Sequence, residues 1–456
     1  MSICTEETKI AVIGRYKNFD DYISSGYDYL PKVPTHWRVL RNRQLFQFKK
    51  RIVGKFVEKY QVLSLTLNGV IPRDIESGKG KMPAEFDSYQ IVKPRNLIFC
   101  LFDIDETPRT IGISSHEGMV TGAYKVAEVV KEHSPEFVYY YYLHLDEFKG
   151  LKPFYTGLRK VVRPETFLGL CIPVPPLEEQ RTIAAFLDFE TARIDKLIAQ
   201  QQRLIELLKE KRQAVISHSV TKGLNPDAPM KDSGVEWLGE VPEHWAFVKL
   251  KWIATTTSGS TPNTGEQEKY YADGIYPWVR TTDLNNDILS DIPVKITEQA
   301  LADTACSLLP PGTVLIAMYG GAGSIGKHAL LSVPSTTNQA VCAILPTDSV
   351  IPEFLNLFAG FYRPYWMVGA EGTRKDPNIG QDHIKELKLP IPPLLEQKLI
   401  CAQINQKLSQ YSVAEDKAFK FTWLLQERRT ALISAAVTGK IDLRGWTAPT
   451  EEASNG

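Results

Sequence analysis

The chain has 456 residues, 43% of them hydrophobic, with 53 basic and 53 acidic side chains and a formal net charge of zero. That length allows about three domains with buried cores. No apolar run approaches the roughly 18 residues of a membrane span, and no basic stretch followed by an apolar block reads as a signal peptide, so the expected location is the cytoplasm. The six cysteines (Cys4, Cys100, Cys171, Cys306, Cys342, Cys401) lack C-x-x-C or histidine spacing, which argues against a disulfide framework or a zinc site.

Residues 1–24 precede the first recognisable pattern, and their role is open. The next segment occurs twice: Ser25-Gly26 through Pro34-Thr35-His36-Trp37 returns 208 positions later as Ser233-Gly234 through Pro242-Glu243-His244-Trp245, with seven identities in thirteen aligned positions. Such self-similarity marks a tandem duplication. His36 and His244 sit beside tryptophans with no ligand or base partner in sequence, and read as turn or packing residues. Between Arg38 and Lys59 lie eight basic residues (Arg38, Arg41, Arg43, Lys49, Lys50, Arg51, Lys55, Lys59) against one acid, Glu58. The zero net charge speaks against a nucleic-acid binder, whereas this local run is either an electropositive patch or a solvated face.

Both globular segments read as mixed α/β. In the first, residues 60–65 and 96–102 are expected strands, divided by a loop with Gly69, Pro72, Gly78, Gly80 and Pro83. In the second, residues 313–318 play the part of 96–102.

A second block repeats 217 positions apart, Ile172-Pro173-Val174-Pro175-Pro176-Leu177-Glu178-Glu179-Gln180 and Leu389-Pro390-Ile391-Pro392-Pro393-Leu394-Leu395-Glu396-Gln397. Each opens a stretch of strong helix formers, the first running free of glycine and proline from Leu177 to about Val220. A helix of that length spans about 65 Å. An apolar seam alternates four and three along it through Ile183, Leu187, Ile194, Leu197, Leu204, Leu208 and Val215. The second helix carries its equivalent in Ile400, Ile404, Tyr411, Phe421, Leu425 and Leu432, and polar interruptions coincide (Glu190 with Lys407, Lys211 with Arg428). An intramolecular coiled coil is the expectation. The segment between the helices makes a domain about 40 Å across, too short to span the first helix, so the second is expected to run back antiparallel with a pseudo-two-fold relation between modules. The expected divisions are 1–172, 173–222, 223–388, 389–441 and a tail, 442–456.

Gly321-Ala322-Gly323-Ser324-Ile325-Gly326-Lys327 satisfies G-x-G-x-x-G and most of a P-loop. His328 stands where a P-loop needs Ser or Thr, and Pro334 follows too soon for a helix, so a glycine-rich hairpin between strands is expected. No amino-methyltransferase tetrapeptide, H-E-x-x-H, G-x-S-x-G or nuclease carboxylate cluster occurs. A nucleotide-binding enzyme using Gly321–Lys327 and a non-catalytic coiled-coil scaffold stay open as alternatives.

The S-G-x-x-x-L-x-x-V-P-x-H-W segments and the P-x-P-P-L-x-E-Q entries into long helices resemble the specificity subunit of type I restriction-modification systems, over nearly the whole chain. Gly259-Ser260-Thr261-Pro262, Trp278-Val279-Arg280-Thr281-Thr282-Asp283-Leu284 and Asn338-Gln339 are similar to elements of that family's target recognition domains. The resemblance implies two α/β (α+β) target recognition domains, each reading one half of an asymmetric bipartite DNA site, joined by helices that set the spacer. It implies partners as well: double-stranded DNA, two modification subunits using S-adenosylmethionine, and restriction motor-nuclease subunits using ATP and magnesium. The chain itself would be non-catalytic, without metal or cofactor. Candidate DNA contacts, chosen as polar and cationic loop residues, are Arg73, Lys79, Lys81, Arg109, Lys125, Arg159 and Lys160 in the first half. In the second they are Ser260, Thr261, Asn263, Arg280, Thr282, Lys327, Asn338, Arg374 and Lys375. Each is weighed against ordinary loop polarity, and Asn338-Gln339 against satisfaction of backbone groups.

Overall fold

The computed structural model describes residues 16–27, 30–74, 86–320, 323–367 and 378–449. The chain divides into two compact units, residues 1–202 with 419–456, and residues 203–418.

Unit 1 is built on an antiparallel sheet of four strands, β2 (Phe46–Phe48), β3 (Leu97–Phe99), β4 (Ile111–Ile113) and β5 (Lys125–Val129), ordered β2-β5-β3-β4. Helix α1 (Pro135–Glu147) follows β5 and buries Phe137, Val138 and Tyr140 to Leu143. Between sheet and helix the rings of Phe46, Phe99, Tyr142 and Phe167 meet at centroid distances of 4.9 to 6.3 Å, the range of favourable edge and offset contacts. A separate pair joins β1 (Arg38–Arg41) to β6 (Cys171–Val174), with Arg38 opposite Val174.

Unit 2 repeats this plan. Its sheet contains β8 (Thr256–Ser258), β9 (Val314–Ala317), β10 (His328–Leu331) and β11 (Val341–Ile344) in the order β8-β11-β9-β10, extended by the short strand Ile288–Leu289. Helix α3 (Pro352–Tyr362) follows β11 and buries Phe354, Leu355, Phe358 and Phe361. β7 (Ala246–Lys249) pairs with β12 (Lys388–Ile391) as β1 does with β6. The two modules thus share a sheet order although their sequences diverge between the repeated blocks. The expected strands are present, the first shifted to Leu63–Thr66 and the others trimmed to Leu97–Phe99 and Val314–Ala317.

The first halves of the proline-rich blocks lie in β6 and β12, and the helices begin after the paired prolines. Helix α2 begins at Leu177 and runs to Lys222, 46 residues; α4 runs from Leu394 to Val437, 44 residues. In unit 1 the start of α2 packs with the end of α4, where Ile183, Leu187, Ile194, Leu425 and Leu432 are buried in one cluster and Arg429 Nε lies 3.1 Å from Asp195. In unit 2 the end of α2 and the start of α4 contribute Val220, Ile400 and Ile404 to the core, and Arg212 pairs with Glu415 at 3.1 Å. Leu197 and Val215 are half-buried against these cores, and Leu208 and Tyr411 are half-buried.

Leu204 and Phe421 depart from the expected seam, being 41% and 43% exposed. Ile205 is buried in place of Leu204, and Ala418 and Leu425 are the buried residues flanking Phe421. A helix of 3.6 residues per turn drifts about 20° per heptad against a strict 3.5 repeat, so the inward stripe passes to Ile205 in α2, while in α4 Phe421 alone of its seam turns out between Ala418 and Leu425.

The ends of the described chain are joined inside unit 1. Asp442 N donates to Lys17 O, Tyr22 Oη donates to Gly439 O, and Trp446 packs edge-on against Phe186. Phe19, within the 1–24 segment, and Ile441 and Leu443, around the expected tail boundary, are core residues.

Candidate nucleic-acid interface

The two repeated blocks are brought together in each unit and make a polar clamp. In unit 1 the Glu179 carboxylate accepts from Trp37 Nε1 at 3.0 Å and lies 2.8 Å from His36 Nε2. The adjacent Gln180 accepts from Ser134 N, the cap of α1, at 2.9 Å and donates to Pro175 O at 2.8 Å. In unit 2 Glu396 lies 2.8 Å from His244 Nε2, and Gln397 accepts from Ile351 N and donates to Pro392 O. Here Trp245 Nε1 is buried without a partner. His36 and His244 are therefore held by carboxylates at the base of each module. Reading the blocks separately missed this clamp, although their ordered double occurrence was its signal.

A second constellation lies in the loops of unit 2. Its three family-like segments meet one another. Ser260 N donates to Thr337 O at 3.1 Å and Asn338 N to Val279 O at 3.0 Å. Trp278, buried, donates from Nε1 to Ser260 O at 3.0 Å. Gly259 is required by this approach, since a Cβ would lie 1.7 Å from Thr337 O. On the surface so formed, Thr261 and Gln339 are both exposed and the Thr261 hydroxyl donates to Gln339 Oε1 at 2.5 Å. That bond directs the Gln339 amide, a group absent from the expected contacts though present in the Asn338-Gln339 pair.

The other candidates of unit 2 differ in how free they are. Asn263 is exposed and donates to Glu266. Arg280 makes a two-pronged pair with Asp283, Nε and Nη2 each at 3.0 Å, and this hydrogen bonding raises the guanidinium pKa further. Thr282 is exposed, and Lys327 is half-buried. Asn338 Oδ1 accepts from Ala340 N, the backbone role weighed for it. Arg374 and Lys375 lie outside the described residues.

In unit 1, Arg109 is pinned against Asp146 and Glu147 at 3.2 and 3.3 Å with only 14% of its side chain exposed. Lys160 is bonded to Asp105 and Glu106, which raise its pKa. Arg159 is exposed near Asp103 and over the Phe102 ring. Lys125 opens β5, and Arg73 is half-buried just past the strand Gly69–Pro72. Lys79 and Lys81 lie outside the described residues. The basic run carries exposed Arg38, Arg41, Arg43, Lys50, Arg51, Lys55 and Lys59, of which Arg51 pairs with Glu128 at 2.6 Å.

The strands on either side of the glycine-rich segment, β9 and β10, pair antiparallel with Ile316 opposite His328, so among the described residues the segment leads into a strand and not into a helix N-terminus that could hold a phosphate. Gly321 and Ala322 fall outside the described residues. No helix among the described residues is long and apolar enough to cross a membrane. The described cysteines are all free and buried.

Duplicated modules with a shared sheet order, each clamped to a long helix, define a tandem mixed α/β protein, and unit 2 presents a loop-built polar face. Residues 242–412 match the family described as type I restriction modification DNA specificity domain. Beyond those residues the chain is similar to type I restriction-modification specificity subunits. It is 24% identical over 432 residues to the MjaVIII specificity subunit of Methanocaldococcus jannaschii, a match covering 91% of this chain and 95% of that protein. It is 31% identical over 172 residues to the MjaIX specificity subunit of the same organism, where 37% of this chain and 39% of the relative are covered. A solved chain from work on assembly and conformational transition of the type I R-M system superposes with a TM-score of 0.68 at 16% identity, over 89% of this chain and 98% of that one. The HsdS subunit of Thermoanaerobacter tengcongensis gives 0.55 at 17% identity, over 92% and 100%.

Proposed function

We propose that each unit of this DNA-specificity subunit reads one half of a bipartite, asymmetric site, and that α2 and α4 set the number of unread base pairs between the halves. The observation that carries this reading is the second module's outward face, where Gly259–Asn263, Trp278–Leu284 and Asn338–Gln339 converge and exposed hydroxyl and amide groups can meet base edges. The basic run of unit 1 supplies phosphate contacts and salt dependence. The helices run antiparallel as an intramolecular coiled coil, the modules being related by a pseudo-two-fold axis. Their half-site separation then follows the roughly 34 Å repeat of the duplex.

The chain carries no chemistry itself. Two modification subunits with S-adenosylmethionine dock on the helices, and motor-nuclease subunits with ATP and magnesium complete the cytoplasmic complex. Exposed apolar side chains on the helices support docking: Leu207 and Val413 in unit 2, and Phe419, Trp423 and Leu424 in unit 1, beside the outward-turned Leu204 and Phe421. The test is selection from random duplex pools by the chain co-purified with its modification subunits. Enrichment of two short sequences at one fixed separation is expected; retention of duplexes without any sequence preference would overturn the reading.

A further inference from the structure

The basic run of unit 1 contains two large apolar side chains that the core does not take. Ile52 is 52% exposed and Phe56 is 58% exposed, while Val53 between them is buried with Val62, Tyr89 and Met119. The backbone is fixed where they project. Val53 N donates to Tyr89 O at 2.8 Å, Gly54 N to Asp87 O at 3.0 Å, and Ile91 N to Arg51 O at 2.7 Å. Gly54 turns the chain at a φ of 57°, which only glycine adopts freely. Lys59 Nζ stands 4.8 Å over the Phe56 ring, Lys50 and Lys55 of the same run are exposed, and Glu58 is its sole acid.

Exposed apolar side chains in a lysine-rich stretch, one of them under Lys59 Nζ, suit neither solvent nor an apolar protein face, which would strand the charges. They suit a surface with apolar stacked planes flanked by anions, as a duplex has. We propose that Ile52 and Phe56 form a wedge that enters a base step of the half-site read by unit 1, with Lys50, Lys55 and Lys59 on the neighbouring phosphates. Apolar side chains that part a base step kink the duplex, and pyrimidine–purine steps yield most easily. Unit 1 then selects sequence partly through deformability at a step it does not read by hydrogen bonds. The inference rests on the DNA reading proposed above.

The experiment uses the full chain with its modification subunits and duplexes of the selected site, with 2-aminopurine placed at successive positions of the unit-1 half. A methylation target brightens by flipping whatever the wedge does, so the readout is the difference between wild type and Phe56→Ala. At one further position a several-fold rise in fluorescence is expected in wild type, lost in Phe56→Ala and kept in Phe56→Leu. Both variants should melt as wild type because the side chain is exposed. Lys55→Gln and Lys59→Gln should each lower the salt slope by about one and leave the brightened position unchanged. Sequence-selective binding with no Phe56-dependent position overturns the wedge and leaves the DNA reading intact. Loss of modification subunits from Phe56→Ala, with fluorescence unaltered, makes Phe56 a protein contact and also overturns the wedge. Failure of the wild-type complex to select any duplex overturns the DNA reading itself.

Discussion

Glu179 shows how one buried acceptor ties distant parts of a module together. Its carboxylate, 7% exposed, takes the Trp37 indole N–H and faces His36. Glu179→Ala leaves that indole unpaired, and the expected loss is about 2–3 kcal/mol in urea unfolding. Glu396→Ala should cost less, because Trp245 Nε1 makes no such bond; equal losses would contradict the asymmetry. His144, half-buried on α1, gives a pH dependence. Burial, then the nearby Lys440 charge, hold its pKa down at about 4 from an ordinary 6.5. Between those values the unfolded chain binds the proton and the folded one does not, so stability is full above pH 6.5 and falls as pH drops toward 4. The magnitude is of order 2 kcal/mol after allowance for residual solvent. His144→Gln should flatten that slope in thermal melts from pH 4 to 7; an unchanged slope would assign it to other groups.

At the scale of elements, the two helices were legible because nothing in the sequence interrupts them and prolines bound their starts. Most of their inward faces were legible: Ile183, Leu187, Ile194, Ile400, Ile404, Leu425 and Leu432 are buried as expected, whereas Leu204 and Phe421 are turned out, as drift against a strict 3.5 repeat allows. We therefore expect Leu204→Gln and Phe421→Gln to change stability by no more than about 0.5 kcal/mol while weakening co-purification of modification subunits. Ile205→Ala, at a buried position, should cost about 2–4 kcal/mol. The reverse ranking would contradict this assignment of faces. Removing four residues in register from α2 and α4 shortens each by about 6 Å, and the selected spacer should change by one or two base pairs. An unchanged spacer would rule out the helices as the measure. The clamp was hidden for another reason: His36, Trp37 and Glu179 stand far apart in the chain, and only β1 pairing with β6 brings them together. Of the candidate contacts, residue type alone did not separate exposed Thr261 and Thr282 from Arg109 and Lys160, whose charges are already engaged by acids.

For the whole molecule, the shared sheet order and repeated clamp give both units one base, and the proposed reading surfaces are expected to change without altering it. Loops Gly259–Asn263 and Asn338–Gln339 are bonded to their own unit, and base contacts are local to the side chains that make them. This locality is the central claim, and it is tested most directly by methylome sequencing of hosts expressing the chain with its modification subunits. One host carries wild type and another a version whose residues 233–388 come from a relative of different specificity. The expected result is a bipartite methylated site in both hosts, with one half and the spacer preserved and the other half replaced. Replacement of both halves, or a single uninterrupted site, would contradict it.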